Sequence, residues 1–220
     1  RQRTEVGQPV WAWHMQKWAG VYPANGDELY YINGKDGATT NNFNLAERAF
    51  QGGSAIPTFT GGLNVHVDYK GFFLDLNGYY ATGHKVYEDW HRYTNGTDFF
   101  STLYYQGVDA ILDRWQKPGD TGTRFGRMKA TTVPWQSHTK FLYDGTFFRL
   151  KNLTFGYDLD AEVLESIGVS SARFFVRGTN LFTWVKDDLL KYDPETDASG
   201  TAGLTTPPVK SFIFGINIKF

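Results

Sequence analysis

The sequence contains no cysteine among its 220 residues. This absence excludes disulfide bonds, zinc sites built on thiolates and catalysis by a thiol. Net charge is also nearly absent, with 22 basic and 23 acidic side chains, so the electrostatic footprint of a nucleic-acid-binding protein is missing. No apolar run is long enough to form a membrane-spanning helix. The polar residues Arg1–Glu5 do not resemble a signal peptide, so we expect an exported protein with this sequence to be mature or a fragment.

Aromatic side chains, in contrast, are in excess. Phe, Trp and Tyr together make up 17% of the sequence, which is more than a soluble core of this size requires. Transmembrane β-barrels accommodate such rings in girdles at both membrane interfaces, where one end of the ring is apolar and the other is wet. The composition therefore favours a transmembrane barrel over a soluble domain.

The last ten residues alternate between two faces. One face carries Phe212, Phe214, Ile216, Ile218 and Phe220, and the other carries Ser211, Gly215, Asn217 and Lys219. A period of two with aromatic ends predicts a β-strand, which fits either a half-buried soluble sheet or a barrel strand between lipid and water. The aromatic residue at the end of the sequence favours the barrel, because chain ends that are not held by pairing usually fray.

A predicted hairpin surrounds Lys70-Gly71. The alternating segments Leu63–Tyr69 and Phe72–Tyr80 flank this two-residue loop, and such a short loop fixes the register of pairing. The predicted pairs are Tyr69 with Phe72, Val67 with Leu74 and Val65 with Leu76 on an apolar face, and His66 with Asp75 and Asn64 with Asn77 on a polar face. Further strands are predicted at Val10–Val21, Phe147–Tyr157, Ala172–Trp184 and Val209–Phe220. We therefore predict an all-β fold, a transmembrane antiparallel β-barrel segment of about six strands.

The connections between these strands are unequal in length. Lys70-Gly71 and Asp158–Ser171 are short, whereas residues 22–59, 83–140 and 185–208 form long segments. Short periplasmic turns and long extracellular loops are typical of outer-membrane barrels. The pattern predicts that all the long segments emerge on one side of the membrane.

Two helices are predicted within the connections. Asp160 is a candidate N-cap for a short helix that ends before Gly168. Asp98 is a candidate N-cap for a second helix, which carries Phe100, Leu103, Tyr104, Val108, Ile111, Leu112 and Trp115 at helical spacing. We expect this second helix to pack against its own loop or against a partner.

Several motifs follow one another in order along nearly the whole chain. They are Gly53-Ser54-Ala55-Ile56-Pro57 leading into Gly61-Gly62-Leu63, Arg114-Trp115-Gln116-Lys117-Pro118-Gly119-Asp120, Phe148–Tyr157, Arg177–Thr183 and Tyr192-Asp193-Pro194-Glu195. This ordered set resembles the C-terminal barrel of the SusC/RagA family of TonB-dependent transporters, which reside in the outer membranes of Bacteroidetes. Each motif alone is weak evidence, but the ordered set is strong.

The resemblance implies that residues 1–220 are the C-terminal part of a barrel with about 22 strands around an N-terminal plug. The plug, the TonB-binding segment and the N-terminal strands have no counterpart in this sequence. The family imports nutrients such as oligosaccharides or peptides across the outer membrane of Gram-negative bacteria. The implied partners are a SusD-like surface lipoprotein, outer-membrane lipid and TonB. Because lipid does not tolerate open sheet edges, the remaining barrel and plug must come from the rest of the polypeptide or from another chain.

Aromatic residues in the longest connection are the candidates for contact with a partner or substrate. They are Trp90, Tyr93, Tyr104, Tyr105, Trp115 and Trp135. Exposed rings of this kind stack on sugars or anchor a protein interface, and they also pack a loop upon itself. The sequence leaves these three roles open.

The candidates for the lumen-facing side of the strands are His66, Asp75, Arg173 and Arg177. For His66 and Asp75 a structural cross-strand pair is favoured over a proton relay or a metal pair. Arg173 and Arg177 share a face opposite Phe174, where they meet either a plug or water.

Cofactors and catalysis are not predicted. The acidic residues of the last long segment offer oxygen ligands for Ca²⁺, but their spacing differs from that of an EF-hand. No nucleophile with a base and no phosphate-binding loop is visible, so we expect no enzyme and no cofactor. Two alternatives to a transporter remain: a barrel subunit with a structural or assembly role, and a secreted β-sandwich that binds carbohydrate.

Overall fold

The computed structural model of the chain describes residues 1–94, 105, 107–129, 136–159, 164, 168–203 and 206–220. The chain divides into two compact units. The loop unit consists of Arg1–Ile56, His84–Asp144 and Glu195–Thr205, and the sheet unit consists of Pro57–Gly83, Gly145–Pro194 and Thr206–Phe220.

Strands dominate the described residues. In chain order they are β1 (Ala12–Met15), β2 (Trp18–Val21), β3 (Glu28–Tyr31), β4 (Thr39–Thr40), β5 (Ala49–Ser54), β6 (Phe59–Tyr69), β7 (Phe72–Thr82), β8 (Lys85–Glu88), β9 (Leu142–Asp144), β10 (Phe147–Asp158), β11 (Ser171–Val185), β12 (Thr201–Ala202) and β13 (Ser211–Lys219). The helical segments are α1 (His91–Thr94) and the short 3-10 helices Phe43–Leu45, Asp109–Leu112 and Thr139–Phe141. Within the described ranges, no helix is both long enough and apolar enough to cross a membrane.

The sheet unit contains one antiparallel sheet of five strands in the order β13-β11-β10-β7-β6. Lys70 and Gly71 connect β6 to β7 with φ values of 49° and 82°. Positive φ at both loop residues gives the tight hairpin turn whose twist matches that of the flanking strands, and glycine adopts it at no steric cost. Every pair predicted for this hairpin, from Tyr69 with Phe72 to Asn64 with Asn77, is present. The hairpin register is therefore confirmed.

Strand pairing aligns the side chains in rows that cross all five strands of the sheet. Two rows of the apolar face are Val67, Leu74, Phe155, Val176, Phe214 and Tyr69, Phe72, Tyr157, Phe174, Ile216. Two rows of the polar face are His66, Asp75, Thr154, Arg177, Ile213 and Asn64, Asn77, Asn152, Thr179, Ser211. Each strand thus contributes alternate residues to opposite faces, as the sequence predicted.

A β-bulge interrupts the middle of the sheet. The register of β10 shifts between Leu150 and Asn152 against both of its neighbours. On the facing part of β11, Asn180 has a φ of 52°, and asparagine is one of the few residues besides glycine that tolerate this left-handed conformation. The extra residue of the bulge shifts by one the alternation of β10 side chains between the two faces of the sheet. As a result, Arg149 and Asn152 both lie on the polar face although their spacing in sequence is odd.

The prediction of a single barrel strand at Val10–Val21 is wrong. These residues form β1 and β2, which pair with β5 and β3 in small sheets of the loop unit. Trp11 just before β1 has a φ of 59°, a left-handed conformation that is incompatible with a continuing strand. The barrel-type sheet therefore contains five strands among the described residues, one fewer than predicted.

The loop unit has a core of its own. Its described strands form the small sheets β1-β5, β2-β3-β4 and β12-β8-β9. Trp13, Met15, Val86, Tyr87 and Phe125 are each at most 1% exposed. Because these residues come from segments that are distant in sequence, the long connections fold into a compact structure rather than separate loops.

Of the two predicted helices, the one that reaches Trp115 is wrong where the structure describes it, and the one from Asp160 is described only at Leu164, which is helical. Between Asp109 and Leu112 the chain forms a short 3-10 helix, and Trp115 then donates its backbone N–H to the carbonyl of Phe125 at 2.9 Å. The α-helix predicted to reach Trp115 is therefore wrong over residues 107–115. Its beginning at 98–104, and nearly all of the helix predicted from Asp160, lie outside the described residues.

Candidate functional sites on the sheet and in the loop unit

The polar face of the sheet carries a cross-strand pair between His66 and Asp75. Nδ1 of His66 lies 2.5 Å from Oδ1 of Asp75, and Nε2 contacts the carboxylate of Asp68. The side chains of His66 and Asp75 are 58% and 51% exposed. Both ring nitrogens are thus engaged by carboxylates. In the described ranges, no group of three or more His, Asp or Glu side chains is arranged to hold a metal ion.

Arg173 and Arg177 lie on the same polar face, in β11. Arg173 makes a bidentate pair with Asp158, with Nε 2.6 Å from Oδ1 and Nη2 2.7 Å from Oδ2. Its guanidinium carbon lies 4.3 Å from the ring centroid of Phe73. Nε of Arg177 donates to Oγ1 of Thr154 at 3.1 Å. Bidentate and stacked contacts fix the plane of a guanidinium, so the sheet itself holds Arg173 in place, while one hydrogen bond ties Arg177 to the neighbouring strand.

A buried ion pair in the sheet unit was not singled out from the sequence. Arg149 is 2% exposed, and its Nη2 lies 2.6 and 2.8 Å from the two carboxylate oxygens of Asp193. Arg149 belongs to the motif Phe148–Tyr157, and Asp193 belongs to the motif Tyr192–Glu195. The sequence offered one sign of this ion pair: each of the two motifs contains one of the two opposite charges.

Other acidic residues of the last long segment serve local turns. Oδ1 of Asp187 accepts the backbone N–H of Leu189 at 3.1 Å, and Oδ1 of Asp197 accepts that of Ser199 at 2.9 Å. Such side-chain acceptors replace missing backbone partners in a turn. These contacts give the carboxylates a structural role that needs no Ca²⁺.

The structure describes Trp90, Tyr93, Tyr105 and Trp115 among the aromatic candidates, while Tyr104 and Trp135 lie outside the described residues. The ring centroids of Trp90 and Tyr93 are 4.4 Å apart, and those of Tyr93 and Tyr105 are 4.8 Å apart. Tyr105 is 43% exposed. These three rings form an aromatic cluster at the surface of the loop unit.

Trp115 is positioned differently from that aromatic cluster. Its Nε1 donates to the carbonyl of Pro23 at 2.8 Å. Its ring packs on Gly26, where an added Cβ would lie only 2.5 Å from the ring. Trp115 therefore packs the loop unit upon itself, which is one of the three roles that the sequence left open.

A buried ion pair in the loop unit joins Lys140 to Glu28. Nζ of Lys140 lies 2.6 Å from Oε1 of Glu28, and the Lys140 side chain is 2% exposed. The ammonium also lies 4.1 Å from the ring centroid of Phe125. Burial lowers the pKa of Lys140, and the charge of Glu28 opposes that shift. Because charged side chains are usually at the surface, nothing in the sequence distinguished this pair.

A second buried network includes Glu88, Tyr143 and two histidines. The hydroxyl of Tyr143 donates to Oε2 of Glu88 at 3.0 Å, and burial raises the pKa of Glu88. His91 stacks on Phe141 with ring centroids 3.6 Å apart. Burial lowers the pKa of both His91 and His138 to about 3. Both histidines are therefore neutral at neutral pH and act as core side chains.

Comparison with known proteins relates the chain to TonB-dependent receptors. No family model matches it. It is 30% identical over 179 residues to TonB-dependent receptor P3 of Formosa agariphila, and 25% identical over 182 residues to TonB-dependent receptor P26 of the same organism. Each alignment covers 76% of this chain and 17% of the relative. The chain thus spans less than a fifth of these curated relatives.

Solved structures share the fold over nearly the whole chain. The RagAB peptide transporter matches with a TM-score of 0.79 at 21% identity, covering 95% of this chain and 23% of its own. The RagAB peptide importer in its open-open state matches with a TM-score of 0.80 at 23% identity, covering 95% of this chain and 22% of its own. At these identities the likeness establishes the fold.

An antiparallel sheet with one exposed apolar face and one polar face, together with these likenesses, defines a segment of an outer-membrane β-barrel. More particularly, the chain is similar to a segment of TonB-dependent receptors, and it shares the fold of the RagAB transporter, so it is SusC/RagA-like. The predicted fold class and the predicted resemblance are confirmed. The relatives are receptors and transporters rather than enzymes, which agrees with the prediction that the chain is not an enzyme.

Proposed function

We propose that the chain forms the C-terminal part of the barrel wall of an active importer in the outer membrane of a Gram-negative bacterium of the Bacteroidetes. The observation that carries this proposal is the apolar face, which continues across all five strands and remains exposed. Phe72, Phe155 and Phe214 on this face are 48%, 49% and 80% exposed. Such a face is stable in hydrocarbon, and the polar rows behind it suit a water-filled lumen.

The same exposure opposes the alternative of a secreted β-sandwich. A sandwich buries one face of each sheet against a second sheet, and the residues that would form that interface remain exposed in the described part of this chain. The second alternative, a barrel with a structural or assembly role, keeps the fold. It differs in lacking a plug and a TonB-binding segment elsewhere in the protein.

The proposal extends to the rest of the machinery. The remainder of the barrel completes the wall, because lipid does not tolerate open sheet edges. The plug lies in that remaining part of the protein, and TonB acts through it. The cargo is oligosaccharide or peptide, delivered by a SusD-like surface lipoprotein. Peptide cargo is supported by the RagAB structures, which are named a peptide transporter and a peptide importer. An aromatic cluster at Trp90, Tyr93 and Tyr105 is suited to contact either the lipoprotein or a sugar.

Spin labels at alternate positions test the barrel orientation. Labels at Leu63, Val65, Val67, Leu74, Ile216 and Ile218 are expected to be quenched by lipid-soluble agents and shielded from water-soluble ones. Labels at the polar-face positions Asn64, Asn77 and Asn217 serve as matched neighbours and are expected to behave in the opposite way. The reverse pattern at most positions would refute the barrel proposal.

Co-purification tests the partner. Alanine at Trp90 and Tyr105 is expected to weaken co-purification of the surface lipoprotein while leaving a heat-stable barrel, since interfaces concentrate their energy in buried aromatic residues. Alanine at Trp115 serves as the control variant, because the contacts of the Trp115 ring with Pro23 and Gly26 are internal to the loop unit. If the Trp90 and Tyr105 variants bind the lipoprotein at wild-type affinity, the aromatic cluster has another role.

A further inference from the structure

The connection that follows β11 folds back over the polar face of the sheet. β11 ends at Val185, which pairs with Phe147. Asp193 then contacts Arg149, which lies two residues further along β10 and therefore back toward the middle of the sheet. The chain reverses its direction within residues 186–194, and we call this segment the strap.

A turn at Asp187 begins the strap. The carbonyl of Asp187 accepts the backbone N–H of Leu190 at 3.0 Å, and its Oδ1 accepts that of Leu189 at 3.1 Å. Leu190 is 5% exposed, so the strap packs against protein instead of extending into solvent. The strap is thus a folded part of the sheet unit.

The β-bulge of β10 directs Arg149 toward the strap. Asn152 and Thr154 lie on the polar face, and in a regular strand a residue at an odd position would then lie on the apolar face. The register shift of the bulge instead places Arg149 on the polar face, in one row with Tyr79 and Thr183. Bulges are frequent where a strand must redirect a side chain. The bulge is therefore what makes the ion pair with the strap possible.

Burial shows that the strap covers this part of the polar face. Arg149 is 2% exposed, and the side chain of its partner Asp193 is 14% exposed. Arg173 lies on the same face nearer the hairpin turn, and its side chain is 48% exposed. Because a buried guanidinium is costly without a carboxylate beside it, the ion pair holds the strap against the sheet.

We propose that the strap limits the size of the cargo that enters the barrel, and that Arg149 and Asp193 are positioning residues that hold the strap in the lumen. The inference rests on the proposed function, in which the polar face lines a water-filled lumen. Short turns such as Lys70-Gly71 lie on the periplasmic side, so the strap lies toward the extracellular end, where cargo enters. A segment folded inward there narrows the passage, and the width of a passage sets which solutes cross it.

Distances between spin labels test whether the ion pair holds the strap, in the whole protein that contains this chain. One label replaces Leu189, an exposed residue of the strap, and the other replaces Thr60, an exposed residue on the polar face of β6. The wild type is expected to give one narrow distance distribution. Asp193→Asn is expected to broaden it, whereas Asp188→Asn, the same change at an exposed position of the strap, should leave it narrow.

A charge exchange provides the second variant. R149D combined with D193R restores opposite charges at the same two positions, so the narrow distribution is expected to return. This variant also decides the matter if D193N does not assemble into a heat-stable barrel. A narrow, unchanged distribution in D193N, or a charge-exchange variant that assembles with the strap released, would overturn the role of the ion pair.

Uptake of cargo tests the size limit. Cells that produce the wild type, D193N or D188N receive partial hydrolysates of casein and of plant polysaccharides, and mass spectrometry measures the lengths taken up. D193N is expected to take up long chains relative to short ones several-fold more than the wild type does, and D188N to keep the wild-type length profile. An unchanged profile in D193N with a released strap would overturn the size limit.

The label at Thr60 separates failure of this inference from failure of the proposed function. If water-soluble quenchers reach the label and the wild type imports cargo, but D193N keeps both the strap and the length profile, the strap proposal alone fails. If lipid-soluble quenchers reach the label instead, or if the wild type imports neither hydrolysate, the proposed function fails and the strap proposal fails with it.

Discussion

Two tryptophans, Trp13 and Trp184, show how differently the two units of this chain place large apolar side chains. Trp13 in the loop unit is 0% exposed, whereas Trp184 on the apolar face of the sheet unit is 49% exposed. The same contrast separates Tyr87, at 0%, from Phe155, at 49%. The loop unit follows the rule for water, in which apolar side chains gather inside. The sheet unit follows the rule for a barrel wall, in which the apolar side chains point outward to lipid.

Two ion pairs show the same contrast, although the sheet unit also buries one pair, that of Arg149 and Asp193. The loop unit buries Lys140 against Glu28, with 2% and 16% of the side chains exposed. The polar face of the sheet leaves the pair of Arg173 and Asp158 exposed at 48% and 41%. The loop unit is therefore stabilised by the side chains that it buries. The sheet unit depends on lipid at its apolar face and on water at its polar face.

The largest difference is expected from removing matched tryptophans. Trp13→Ala empties a fully buried position and should cost the loop unit about 3–5 kcal/mol. Trp184→Ala removes an exposed ring and should cost the sheet about 1 kcal/mol or less. Urea-dependent proteolysis within the loop unit, together with the heat stability of the barrel, would measure both effects. Equal losses would show that the two units do not use burial differently.

Ion pairs give the next comparison. Glu28→Gln leaves the buried ammonium of Lys140 without its carboxylate and should cost about 3 kcal/mol. The double variant Glu28→Leu with Lys140→Met should recover most of that loss, because both charges then leave the core together. Asp158→Asn, on the exposed pair, should cost about 0–1 kcal/mol, since solvent screens that pair. The same proteolysis and heat-stability measurements apply, and a Glu28→Gln loss as small as that of Asp158→Asn would contradict the argument.

Neighbouring residues of β6 should differ in how well they tolerate a charge, because they lie on opposite faces of the sheet. Val65→Lys places a charge on the apolar face and should cost about 2 kcal/mol of barrel stability in lipid. Asn64→Lys places the same charge on the polar face and should cost about 1 kcal/mol, through the lost hydrogen bond with Asn77. Folding titrations in lipid vesicles would distinguish the two. Similar losses at both positions would mean that lipid does not cover the face carrying Val65.

The sheet could be predicted from sequence because each of its constraints is local. The alternation of residues 63–69 and 72–80 assigns each side chain to a face, and the two-residue loop at Lys70-Gly71 leaves one register. Both features are read within a few residues. The same holds for the last strand, whose alternation matches β13.

The loop unit could not be predicted in this way, because its contacts join segments that are distant in sequence. β8 pairs with β9 and with the two-residue strand β12, and no periodicity marks a strand so short. The helical spacing that ends at Trp115 was misleading for the same reason. A pairing of Arg114 with Phe125 holds the end of that segment extended in spite of its pattern, as tertiary contacts often override local preference.

Acid should destabilise the loop unit before the sheet unit, because the loop unit contains buried histidines. His91 and His138 in the loop unit have pKa values lowered by burial to about 3, against about 6.5 in an unfolded chain. Between these values the unfolded chain binds protons that the folded unit does not, so folding stability is fully present above about pH 6.5 and falls as the pH decreases toward 3. The loss should approach about 1.4 kcal/mol per pH unit for each histidine.

The substitution His138→Phe sharpens the test. His138 packs among Tyr30, Phe43 and Phe141, so a phenyl ring suits the site, and the variant should lose about half of the acid sensitivity. The sheet unit contains only His66 among the five histidines, and that ring is 58% exposed. Proteolysis of the loop unit should therefore begin at a pH at which the barrel remains heat-stable. If the two units instead lost stability at the same pH, or if His138→Phe left the acid sensitivity unchanged, buried histidines would not be its cause.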